Sequence, residues 1–285
     1  MHLAVAGAAL PALLLAAQPA WAGGSTAAPR NAAGPVASGE EQSPVVGTPT
    51  LTAAQRTSAA AKDAAVARVL RGDQQRTFRA ATGAGPLRGS MRAAASAADP
   101  LPTHRSIKAI TQQAQVRSYW CGPATLAMLV QADDASISQT TAAKRLHTTS
   151  NGTNWYSGAG SYPMEAALER YSGDFDYTPQ NLPYTPSKAD TAAFKGRLMT
   201  DVAVDRHGIA GNAVEVRNGP HLDGHPNRTI YHWVAVRGYD DDGDTTRYAD
   251  SVSGSNISWS APVARYNEID TDKIVTIFGA RGYVW

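Results

Sequence analysis

The sequence is poor in cysteine: among 285 residues only Cys121 carries a thiol. A single cysteine excludes any internal disulfide, and in an oxidising compartment a lone thiol is either buried and inert or kept for chemistry. A surplus of one charge sign is lacking too. With 26 basic and 24 acidic residues the formal net charge is only +2, and the basic residues are scattered, so there is no electrostatic footprint for a nucleic-acid backbone. Long apolar runs are missing after the first 22 residues, which leaves no candidate membrane span there. Aromatics are scarce as well: residues 23–102 contain no Trp or Tyr and one Phe, Phe78.

These absences divide the chain. The apolar run 3–17 is too short to span a bilayer and is followed by Ala20-Trp21-Ala22, a small-x-small cleavage pattern. Residues 1–22 therefore read as an export signal with maturation at Gly23, giving a secreted, extracellular or wall-associated protein without stable membrane insertion after signal removal. Residues 23–105, rich in Ala, Gly, Ser, Thr and Pro, cannot bury enough apolar surface to offset their ordering entropy. They read as a largely disordered linker or pro-segment, within which 52–81, with Gly72 as its only glycine, has the composition of a helix. Residues 106–285 hold five of the six Trp and all eleven Tyr and form the expected folded domain.

Within that domain, apolar spacing and turn residues predict helices over 122–131, 138–146, 163–171 and 187–204, and strands over 208–216, 230–238, 245–250 and 273–279. Helices first and antiparallel strands afterwards define an α+β fold rather than a doubly wound sheet.

Three residues carry the chemistry. Cys121 stands just before Gly122-Pro123-Ala124, so its sulfur is expected at a helix N-terminus, where the macrodipole and free amides favour an anion. A thiolate nucleophile needs a base, and His232 lies near the start of the apolar strand Ile230-Tyr231-His232-Trp233-Val234-Ala235-Val236. Asp250 ends the next strand, across the turn Asp240-Asp241-Asp242-Gly243-Asp244. A hairpin folded about Asp241 sets His232 directly opposite Asp250, Val234 opposite Tyr248 and Val236 opposite Thr246, which brings a carboxylate within reach of the imidazole. Asp240 and Asn256 are the substitutes if the register differs.

The run Gln115-Val116-Arg117-Ser118-Tyr119-Trp120-Cys121-Gly122-Pro123-Ala124, with His232-Trp233-Val234-Ala235-Val236 and Tyr248-Ala249-Asp250, resembles the bacteriocin-processing-peptidase-like family of cysteine peptidases in the papain-like superfamily. The resemblance implies a papain-like fold, thiol chemistry without a cofactor or metal, and an oxyanion donor at Gln115, six positions before the cysteine. Trp120 stands where transporter-fused members often have an acidic residue, so removal of a double-glycine leader is not implied. The expected reaction is hydrolysis of a peptide or protein substrate through Cys121, His232 and Asp250. A cell-wall amidase or acyltransferase with the same residues, and a binding module whose chemistry has lapsed, are the alternatives.

Other signals carry less. His221, His225 and His232 with Asp223 have metal-ligand residue types, but Gly224 and Pro226 argue against a helix that would present them together, so the segment reads as a loop at the mouth of the site. The Asp240 to Asp244 cluster reads as turn chemistry rather than a calcium loop. No Gly-x-Ser-x-Gly elbow, phosphate-binding glycine loop or dinucleotide fingerprint is present.

Overall fold

The structure, a computed structural model, describes residues 48–82, 100–173 and 175–285, all of them in the compact unit Ala37–Trp285. The expected export signal, 1–22, lies outside the described residues. No helix among the described residues is long and apolar enough to cross a membrane.

The architecture is α+β. A seven-stranded sheet has all its pairings antiparallel: β1 (Arg105–Ser106), β2 (Pro179–Asn181), β3 (Ile209–Glu215), β4 (Ile230–Asp240), β5 (Thr245–Ala249), β6 (Tyr266–Asp270) and β7 (Gly282–Val284). The order is β2-β7-β3-β4-β5-β6, with β1 added to the far end of β4. The helices are α1 (Ala53–Thr82), α2 (Cys121–Leu129), α3 (Gln139–Arg145), α4 (Pro163–Leu168), α5 (Lys188–Thr200) and α6 (Thr271–Ile277).

Local chemistry explains most of these elements. Ser138 caps α3 by accepting from the Thr141 amide, and Ser187 with Asp190 forms a capping box at the start of α5. Every residue of α2 is buried, because this helix runs through the core against β3 and β4. α5 and α6 pack on each other and on the middle of the sheet. Gly122 in the first turn of α2 is required by space: a Cβ there would stand 2.3 Å from the Thr153 hydroxyl oxygen.

Three expectations need correction. Residues 273–279 are not a strand. The carboxylate of Asp270 accepts from the Lys273 amide and starts α6, which buries Ile274, Val275 and Ile277 at helical spacing, with Phe278 at its cap. The run Ile274-Val275-Thr276-Ile277-Phe278 is short and apolar, a pattern that buried strands and buried helices share.

The second correction concerns the hairpin register. Ala235 pairs with Ala249 and Val236 with Tyr248, and a bulge at Arg237 then shifts the ladder so that Gly238 faces Arg247. The turn also lies further along than expected, because Asp241 and Asp242 both take left-handed backbone conformations before Gly243. His232 and Asp250 are therefore not directly opposed; continued past β5, the register would set Asp250 against Val234. The offset is two residues, an even number, so Asp250 keeps the face on which His232 lies.

Part of the segment expected to be largely disordered is folded. α1 lies along α5, with Asp63 gripping the buried Arg197 through two bonds of 2.9 Å. Lys62 projects between the rings of Phe175 and Trp285, at 4.1 and 4.3 Å, and donates to the Asp176 carbonyl at 2.7 Å. Gln55 donates to both carboxylate oxygens of Glu165, and Val66 and Leu70 pack so close to Gly196 that a Cβ there would stand 3.2 and 3.0 Å from their methyl groups.

Candidate active site

β5 accompanies β4 only as far as Ala235, and the site occupies the gap beyond that point. There the Trp233 amide donates to the Cys121 sulfur at 3.1 Å, which pins the thiol beside the residue that follows His232. Cys121 is the first residue of α2 and fully buried, so its sulfur sits among the unpaired amides of a helix N-terminus. Trp233 is held in turn, donating its indole N–H to the Thr153 carbonyl at 3.2 Å and packing 5.8 Å from the Trp155 ring.

His232 and Asp250 meet diagonally. His232 Nε2 donates to Asp250 Oδ1 at 3.0 Å, and the Val252 amide donates to the same oxygen at 2.8 Å. The chain past β5 is held by Gln112, whose Nε2 donates to the carbonyls of Asp250 and Ser253, and by the Asp250 amide, which donates to the Arg265 carbonyl. Burial alone would push the Asp250 carboxyl up, but the charges of His232 and His225 and the bonds from both rings bring it well below the usual carboxylate range.

His225, read from the sequence as part of a loop at the mouth of the site, is instead tied into it. It lies in the loop between β3 and β4, its side chain wholly buried, donating from Nε2 to Asp250 Oδ2 at 3.0 Å and from Nδ1 to Glu215 Oε1 at 2.7 Å. Burial alone would lower its pKa; the Asp250 charge and the bonds to both carboxylates outweigh this and raise it to about 10. Glu215 was the available signal. It ends β3 on the same face as Gly211 and Ala213 and is fully buried, and a carboxylate at an inward position of an apolar strand requires a partner.

His225, His232 and Asp250 bring three ligand-type atoms within 4.8 Å of one another, a grouping that could also hold an ion. The contacts between them have the lengths of N–H···O bonds. The other members of the sequence-level metal reading lie apart from this cluster: His221 spans the carbonyls of Gly219 and Arg228, and Asp223 is exposed.

Gln115 lies beneath the loop that leads to Cys121. Its Nε2 donates to the carbonyls of Arg117 and Ser118 at 3.0 and 2.9 Å, its Oε1 accepts from the Ser251 hydroxyl at 2.9 Å, and its backbone amide donates to the Ser251 carbonyl at 2.8 Å. Both amide hydrogens are thus engaged by the loop. The structure joins Gln115 to the segment just after Asp250. Beside the N-terminus of α2 an open pocket is lined by Arg117, Trp120, Lys144 and His147 among others, with the Arg117 guanidinium 5.0 Å above the Trp120 ring.

Comparison with known proteins gives a family and a set of similar folds. A family model described as "Peptidase_C39 like family" matches residues 105–273, more than half of the chain. Among solved structures, the peptidase domain of Streptococcus ComA, a bifunctional ABC transporter involved in quorum sensing, is 12% identical over 61% of this chain and 95% of its own, with a TM-score of 0.37. A C39-like peptidase from Bacillus anthracis is 12% identical over 64% and 96%, TM-score 0.39. Xylellain, a cysteine protease from Xylella fastidiosa, is 15% identical over 64% and 84%, TM-score 0.37. No curated protein matches.

Proposed function

The chain belongs to the Peptidase_C39-like family, and from that premise we propose that it is an exported cysteine peptidase with Cys121 as nucleophile, His232 as general base and Asp250 as the carboxylate that orients the imidazole. One observation carries the reading. The Trp233 amide fixes the Cys121 sulfur at the residue that follows His232, while His232 Nε2 is committed to Asp250, which leaves Nδ1 as the ring atom to exchange a proton with the thiol.

The thiolate attacks the scissile carbonyl carbon and the carbonyl electrons move to oxygen. The Cys121 backbone N–H holds that oxyanion, with Gln115 joining once it gives up one of its loop carbonyls. Protonated His232 then delivers its proton to the leaving amine, and the acyl-enzyme is hydrolysed by a water from which His232 takes a proton. The apolar run 3–17 with Ala20-Trp21-Ala22 supports export, and the family supports a peptide or protein substrate. The cations at Arg117 and Lys144, stacked against or beside Trp120, favour an acidic side chain on that substrate close to the bond cut.

Alkylation of Cys121 across pH tests this reading. A thiolate paired with an imidazolium reacts at mildly acidic pH, where an ordinary thiol, with a pKa near ~8.5, is protonated. The shape of the profile is the readout, since burial of the sulfur slows every reagent at every pH. The acidic shoulder is expected in the wild type and its loss in His232→Ala; a profile that follows an ordinary thiol in both proteins would sink the assignment. Digestion of a peptide library by the wild type, with Cys121→Ala as blank, reads the preference for acidic residues.

A further inference from the structure

The site contains more buried ionisable groups than a thiol, a base and an orienting carboxylate require. We propose that His225, clamped by Glu215, is a positioning residue for His232: it occupies the second oxygen of Asp250, aims the first at the base, and by its positive charge keeps the His232 imidazolium ready to give up its proton. The inference rests on the peptidase reading above.

Geometry carries it. A buried carboxylate held by one imidazole could turn about its own bond, but Asp250 receives three donors, His232 Nε2 and the Val252 amide on Oδ1 and His225 Nε2 on Oδ2. His225 cannot turn either, because Glu215 holds Nδ1 and the Trp259 ring lies 4.8 Å away at 69°. With a carboxylate on each ring nitrogen, both nitrogens donate and the ring is an imidazolium. Hydrogen bonds therefore run without a break through Glu215, His225, Asp250 and His232. The Tyr248 hydroxyl beside Asp250 and Glu215 is kept neutral by burial, and Arg228 stands over the Trp259 ring at 5.5 Å.

The two histidine rings are 5.3 Å apart. A positive charge at that distance opposes protonation of His232, so removing it should stabilise the His232 imidazolium by about one to two pH units. A residue that merely fills space would not move that value.

The experiment is the pH profile of Cys121 alkylation and of peptide turnover in wild type and His225→Gln, with 15N-histidine NMR of the wild type as a measurement independent of the variant's folding. The proposal expects the alkaline limb, where His232 loses its proton, to move up by about one unit or more in the variant. It also expects NMR to show the wild-type His225 ring protonated on both nitrogens at pH 8 while His232 titrates. An unmoved limb in a folded variant, a neutral wild-type His225 at pH 8, or a limb displaced by a chelator, which would mark an ion in the cluster, each overturns it. If the peptidase reading itself were wrong, the wild type would lack the acidic shoulder and His232→Ala would change nothing, whatever His225 does.

Discussion

Gln115 spends both amide hydrogens on the carbonyls of Arg117 and Ser118, and its oxygen receives the Ser251 hydroxyl, so it ties the loop before Cys121 to the segment after Asp250. A part in turnover as oxyanion donor requires one of those bonds to be exchanged for the developing charge. Alkylation separates the two roles, because displacement at an alkyl carbon forms no oxyanion. In Gln115→Ala, peptide turnover is expected to fall about 10²- to 10³-fold while the alkylation rate of Cys121 stays within about twofold. Equal losses in both assays would show that Gln115 acts only by holding the loop. That Cys121, His232 and Asp250 come together was legible because each sits beside a local signal: a proline in the first turn, an apolar strand, an acidic turn. His225 was not, because its role depends on Glu215 and Asp250, ten and 25 residues away and brought together only by the sheet.

At the scale of elements, alternation and capping residues placed α2, α3, α5 and β3 to β5 to within a few residues, whereas register and docking escaped. The bulge at Arg237 leaves little trace in sequence because Arg237 is ordered by tertiary partners, the carbonyls of Ile107 and Ile110. α1 was legible as a helix and illegible as a docked one. Its large apolar residues are few, and its hold on the domain is polar and cationic: Asp63 on Arg197, Lys62 between two rings, Gln55 on Glu165. Arg197 is nearly fully buried and also donates to Gln180 and to the Tyr283 hydroxyl. Asp63 remains half-exposed, so Asp63→Ala is expected to cost about 1–3 kcal/mol, less than breaking a fully buried pair. Limited proteolysis followed by mass spectrometry should find Ala53–Thr82 protected in the wild type and cut in Asp63→Ala. Digestion of this helix in the wild type as fast as an unstructured peptide would show that it is not held.

For the whole molecule, the buried ionisable groups set how stability varies with pH. The formal net charge of +2 makes general self-repulsion small near neutrality. Burial raises the Glu165 carboxyl from 4.5 to about 7, against the hydrogen bond from Gln55, so its contribution is present below about pH 4.5 and lost as pH rises through about 7. His225, raised from 6.5 to about 10, contributes stability that is complete below 6.5 and lost as pH climbs through about 10. Asp250 has the opposite sign. Its lowered pKa gives stability present above 3.8 that disappears only in strong acid. Together these groups put the maximum between about pH 3.8 and 4.5, with a decline in two stages above it. Tm measured by calorimetry should therefore be highest at pH ~4 and should fall by roughly 10 °C or more across the His225 window. Glu165→Gln should shrink the lower stage, which buried Asp201, raised from 3.8 to about 7, also feeds, and His225→Gln should flatten the upper one. A wild-type Tm that is level or rising between pH 6.5 and 10 would mean that His225 is not a buried imidazolium, and the role proposed for its positive charge would fail with it.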